Sequence, residues 1–108
     1  MEKVIRNNKV AVIYAPGFGA GWATWNPEFV NILVFHPLLV EMIESGKRDL
    51  ITEEWLVSQF GEEFADVYCG ANTQLQIKWL PIGTKFLIEE YDGNESIITM
   101  EDLRFISA

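Results

Sequence analysis

Cysteine, histidine and basic residues are all scarce in this chain. Cys69 is the single cysteine and His36 the single histidine, so an internal disulfide is impossible and no Cys/His zinc set can be assembled. Lysine and arginine number 8 against 16 Asp and Glu, a formal charge of −8, which argues against nucleic-acid polymers because phosphate contacts need clustered cations. No run of about 18 apolar residues and no charged-then-apolar leader occurs, so neither a membrane span nor an export signal is expected. Linkers, internal repeats and low-complexity stretches are also missing. The expectation is one soluble, cytoplasmic domain over residues 1–108, a length that buries about 60–70% of the surface of the unfolded chain.

What is present is apolar and aromatic. Hydrophobic residues make up 49% of the chain and four are tryptophans, more than a small domain easily hides, so a homo-oligomer is the simplest outlet. The segment Tyr14 to Asn26 sets Gly17, Gly19 and Gly21 at alternate positions among Phe18, Trp22 and Trp25, directly after the apolar run Val10–Ile13. Glycine permits positive φ and close approach of a ligand to the backbone, and the rings offer faces on which a base can stack. Residues 1–27 also hold Lys3, Arg6 and Lys9 against Glu2 alone, so the whole net negative charge lies in the rest of the chain. From Asp49 to Asp66 the acids Asp49, Glu53, Glu54, Glu62, Glu63 and Asp66 occur without an intervening base.

Periodicity predicts an α+β domain. Lys9 to Ala15 reads as a strand covered on both faces and ended by Pro16, and Asn26-Pro27-Glu28 has the form of a helix start. Phe29 to Phe35 fits a short helix or a buried strand equally well. After His36-Pro37, the apolar positions Leu38, Leu39, Met42 and Ile43 have helical spacing, with Gly46 as the stop. Thr52 is placed to cap another helix that carries Trp55, Leu56 and Phe60 inward and stops at Gly61. From Gln74 the period changes to two, with turns at Pro81-Ile82-Gly83 and Asp92-Gly93-Asn94, and with strands expected at 97–100 and 103–106. The architecture predicted is an antiparallel β-sheet, formed by the N-terminal strand and a C-terminal meander, with two or three short helices on one side.

Several chemistries are absent. A dinucleotide fingerprint needs glycine where Trp22 stands, and a P-loop needs Gly-Lys-Ser/Thr where Trp22-Ala23-Thr24 stands. His36 lies between Phe35 and Pro37, a place for a cap or a core residue, and Cys69 in Tyr-Cys-Gly suits a small buried residue better than a nucleophile. The adjacent acids Glu53-Glu54, Glu62-Glu63 and Glu89-Glu90 point apart on any regular element. The residues therefore point away from an enzyme, and no cofactor is expected.

A binding site is the alternative that the glycine loop favours. Backbone N–H groups at Gly19, Ala20, Gly21 and Trp22 are placed to hold phosphate, Gly17 lets the chain turn, and Phe18, Trp22 or Trp25 would stack a base for about 1–3 kcal/mol. Asn26, Asn72, Thr73 and Ser96 supply polar groups for base edges or hydroxyls, and Lys3, Arg6, Lys9 or Arg104 supply charge. The competing reading is that Trp22 and Trp25 fold back to plug the core.

The pairing of V-A-V-I-Y-A-P-G-F-G-A-G-W-A-T-W-N with W-L-P-I-G-T-K-F-L-I-E-E-Y-D-G-N-E-S-I resembles a family of small acidic proteins of bacteriophages and prophages, over nearly the whole chain. By size, acidity and loop chemistry, the phage sponges that sequester cyclic nucleotide immune signals of the CBASS and Thoeris systems are the nearest analogy. That analogy, together with the loop chemistry, implies a non-catalytic protein that takes a small cyclic nucleotide at a subunit interface in the host cytoplasm. The other function class is an acidic protein–protein inhibitor or DNA mimic, in which the Asp49–Asp66 acids block a basic groove on a host defence protein.

Overall fold

Lys9–Tyr14 forms the central strand of a three-stranded antiparallel sheet, and its Ala11, Val12 and Ile13 are all buried, as a strand covered on both faces requires. The computed structural model describes residues 1–102 and Ala108; the expected strand at 103–106 and the candidate Arg104 lie outside the described residues. Strands are β1 (Ile5–Arg6), β2 (Lys9–Tyr14), β3 (Gln76–Pro81), β4 (Phe86–Tyr91) and β5 (Asn94–Thr99). Helices are α1 (Val30–Phe35), α2 (Pro37–Glu44) and α3 (Glu53–Phe60). The fold is α+β, with α1 and α2 packed on the β1-β2-β3 sheet.

Two features depart from the expected single sheet. A short hairpin precedes β2, its turn made by Asn7 and Asn8 at φ 52° and 63°, values that asparagine tolerates better than most residues. In addition, β4 and β5 pair only with each other among the described residues, so the meander breaks after β3. Pro81 at the end of β3 has no N–H to continue a ladder, and the chain turns there with Thr84 N donating to Pro81 O. The β4–β5 hairpin instead leans on the end of β2, where Glu95 N donates to Ala15 O. Met100, expected in a strand, opens a 3₁₀ turn to Asp102, whose carboxylate accepts from Thr99 N.

The segment from Phe29 to Phe35 resolves as helix. Pro27 starts a 3₁₀ turn that leads into α1, and α1 stops before Pro37 because the preceding residue is pushed to extended φ/ψ, seen in His36 at φ −65°, ψ 130°. The same residue begins α2, its Nδ1 accepting from Leu38 N at 3.1 Å. Gly46, at φ 75°, closes α2 with Lys47 N bound to Met42 O and Gly46 N to Ile43 O, a Schellman arrangement. Thr52 Oγ1 accepts from Trp55 N at the start of α3, and Leu56 is buried with Trp55 and Phe60 partly so, as the spacing predicts.

Capping by Nδ1 requires neutral imidazole, and burial, followed by the positive N-terminus, lowers the His36 pKa from 6.5. The unfolded chain therefore binds this proton more tightly than the fold does. The His36 contribution is complete above pH 6.5 and is lost as pH falls from there through the lower folded value. We expect urea midpoints to decline over that window, and His36→Asn, which keeps a cap acceptor but does not titrate, to remove this part of the decline. His36→Ala should cost about 1 kcal/mol at pH 8.

Candidate functional site

The loop after β2 closes around a carboxylate. Glu95, 1% exposed, accepts from Ala15 N through Oε1 at 3.0 Å, and through Oε2 from Trp22 N at 2.9 Å, Thr24 N at 3.0 Å and the Thr24 hydroxyl. Four converging donors solvate the group in place of water, as an anion-binding loop would solvate a phosphate. Neighbouring bonds strap the loop to the β4–β5 turn: Gly17 N donates to Asn94 Oδ1 at 2.8 Å and Gly19 N to Asp92 O at 2.6 Å. Gly93, at φ 84°, lies so close beneath that a Cβ there would collide with the Ala20 backbone.

These contacts correct the expected phosphate cradle at both of its ends. The amides of Gly19 and Trp22 are taken by Asp92 O and by the Glu95 side chain. Trp22 is fully buried, without a free face for a base, and so realises the core-plug alternative. Its burial has a local cause: Leu33 O on α1 would normally receive the amide four residues on, but that residue is Pro37, and Trp22 Nε1 donates to it instead at 2.8 Å. Asn26 is also structural. Its Nδ2 donates to Trp22 O and Tyr68 O while Oδ1 accepts from Tyr68 N, so the side chain ties two loops and has no group left for a ligand.

The remaining candidates are dispersed. Gly17, at φ 124°, abuts the Gln74 side chain, and Ala20 is buried. Phe18 stands 64% exposed, edge-on to the exposed Tyr91 with centroids 6.3 Å apart. Trp25 is 39% exposed; its ring lies against Gly21, where a Cβ would come within 2.6 Å, and tilts over Tyr68 at 5.3 Å. Asn72 Nδ2 donates to Ile51 O, Thr73 is exposed beside it, and Ser96 is exposed on β5 opposite Glu89. Of the N-terminal cations, Arg6 is engaged by Glu44 at 2.6 and 2.8 Å and Lys3 sits 4.1 Å over the Phe35 ring.

No family model, curated protein or solved structure matches the chain. Among the described residues no group of three or more His, Cys, Asp or Glu side chains could hold a metal ion, and no helix is long and apolar enough to cross a membrane.

A different constellation gathers at the start of α3. A shallow cleft of about 370 Å³ is lined by Glu53, Glu54, Tyr68, Cys69 and Asn72, and the Trp25 ring, outside that lining, is tilted against Tyr68. Glu53 and Glu54 are exposed, and among the described residues no Lys or Arg comes within ion-pair distance of them or of Glu62, Glu63 and Asp66. The Cys69 thiol registers this field: burial first, then the charges of Glu53 and Glu54, push its pKa up to about 11. Unpaired carboxylates beside an exposed aromatic pair suit a cation and repel a phosphate. Tyr68 and Glu95 lie in two Gly- and aromatic-containing segments, 68–73 and 91–96, that read in the sequence as ordinary turns. For Glu95 a signal existed, since it shares its strand face with the buried Ile97.

Alkylation of Cys69 by iodoacetamide should rise about tenfold per pH unit from neutrality to pH 10 without a plateau, and Glu53→Gln with Glu54→Gln should increase the rate at fixed pH. A plateau near pH 8.5 would contradict the burial of this thiol and the carboxylate field beside it, and a rate unchanged by the double substitution would contradict the field alone.

Proposed function

We propose that this protein is a non-catalytic binding protein that recognises a positively charged segment of another protein at the acidic, aromatic-walled cleft of Glu53, Glu54 and Tyr68. The observation that carries this reading is the juxtaposition of unpaired carboxylates with the half-exposed Tyr68 ring in one concavity, the Trp25 ring lying tilted against Tyr68 outside its lining. A guanidinium would lie against the exposed ring and face the two acids, while the further acids of the 62–66 turn raise the encounter rate. On the motif resemblance to small acidic phage proteins, the partner is a basic surface of a host defence protein, which the cleft would occupy and block.

Capture of a cyclic nucleotide is the second reading. Its support is the exposed Phe18–Tyr91 pair, whose outer faces are open to a base. It must do without the Trp22 amide, and Glu90 and Asp92 stand next to Tyr91 in the chain.

Calorimetric titration with an arginine-rich peptide, at low and high salt, and with a panel of cyclic dinucleotides and trinucleotides separates the two. The proposal expects saturable peptide binding that weakens with salt, falls at least about tenfold in E53Q/E54Q and several-fold in Trp25→Ala, and survives in E62Q/E63Q. Peptide binding indifferent to E53Q/E54Q would overturn it, as would nucleotide binding in the absence of peptide binding.

A further inference from the structure

Among the described residues, the β4–β5 hairpin leaves one of its edges unused. A two-residue turn at Asp92 and Gly93 makes Tyr91 and Asn94 a hydrogen-bonded pair, so Tyr91, Glu89 and Leu87 spend their backbone groups on β5. The N–H and C=O groups of Phe86, Ile88 and Glu90 then face outward. The parity is confirmed from the other strand, where Glu95, opposite Glu90, turns its N–H away from β4 to Ala15 O. No strand pairs with the outer edge of β4 among the described residues.

Beside that edge lies an apolar groove of about 380 Å³, with Val30, Val34 and Phe35 on the helical side and Phe86, Leu87 and Ile88 on the strand. Val30 is 42% exposed and Leu87 49% exposed, an apolar strip that a lone domain leaves in water. The open edge strands of the other sheet differ: β1 has two residues, and β3 carries Lys78 and ends at Pro81, both common guards of an edge.

We infer that β4 is the dimerisation strand of this protein, pairing antiparallel with β4 of a second copy about a two-fold axis at Leu87. The side-chain pattern selects this occupant and this register. Lys85, Leu87 and Glu89 alternate onto one face, and all three are exposed. With Leu87 opposite the partner's Leu87, Lys85 meets the partner's Glu89 and Glu89 meets the partner's Lys85, so the axis yields two opposite-charge pairs around an apolar centre. Neither Lys85 nor Glu89 has an ion-pair partner among the described residues. On the inner face Phe86 meets the partner's Ile88, and both belong to the residues whose backbone groups point outward, so the ladder hydrogen bonds form at that pair. Shifting the register by one residue would misalign those bonds. Shifting it by two would set Leu87 against the partner's Glu89 and strand Lys85 opposite the partner's Tyr91. This inference is independent of the cleft at α3.

Sedimentation velocity over a wide concentration range tests the pairing. Wild type should dimerise reversibly. L87R, at a half-exposed position that tolerates charge, should be monomeric with an unchanged circular dichroism spectrum. K85E and E89K should each weaken the dimer about tenfold by replacing two attractions with two repulsions, and the double exchange K85E/E89K should restore it to within about twofold. A wild-type protein that stays monomeric at every concentration would overturn the inference. So would a dimer indifferent to L87R, or one that the double exchange fails to restore.

Discussion

A single buried carboxylate holds the two halves of this fold together. Glu95 follows the β4–β5 turn, is sealed from water, and takes its hydrogen bonds from Ala15, Trp22 and Thr24, three points along the loop that leads from β2 toward α1. Without that anion the loop amides would be buried without acceptors, at a cost of about 1–3 kcal/mol each. With it, Trp22 is delivered into the core, where its indole N–H completes the helix carbonyl that Pro37 leaves open. The hairpin, which does not share a sheet with β2, is fixed to it through this residue and through Glu95 N bonded to Ala15 O.

The functional surfaces follow from this arrangement. Because Glu95 and the β4–β5 turn take the amides of Ala15, Gly17, Gly19, Trp22 and Thr24, the glycines serve close packing: Gly93 against Ala20, and Gly21 against the Trp25 ring. The loop thus turns one indole inward and leaves the other at the surface, beside Tyr68 and the acids that begin α3. Asn26 secures that relation by bonding the Tyr68 backbone through both ends of its amide. On the opposite flank of the same loop, Thr24 and Pro27 border the groove that runs along β4.

Local elements were legible in the chain because each had its own punctuation. Thr52 and Gly61 bracket α3, Pro37 and Gly46 bracket α2, and Asp92-Gly93 makes the hairpin turn. The break between β3 and β4 was not legible, since period-two alternation on either side of Pro81 reads the same for one sheet as for two. The glycine loop misled for a more instructive reason. Alternating glycines next to aromatics announce a backbone that wraps an anion, and such a backbone is present, but local sequence says nothing of which anion arrives. The answer, Glu95, is supplied from seventy-odd residues away. Trp22 and Trp25 are likewise indistinguishable by composition, and the Glu95 anchor on the Trp22 amide together with the Leu33 carbonyl open to its indole explains which of the two goes inside.

The most direct test of this account is Glu95→Gln, read by equilibrium unfolding together with amide hydrogen exchange at Trp22 and Thr24. Glutamine keeps the shape but can offer its oxygen to one side only, leaving its own N–H groups against the donors on the other. The account predicts a loss of about 2–4 kcal/mol and a collapse of protection at those two amides. A variant as stable as wild type, with both amides still protected, would contradict it.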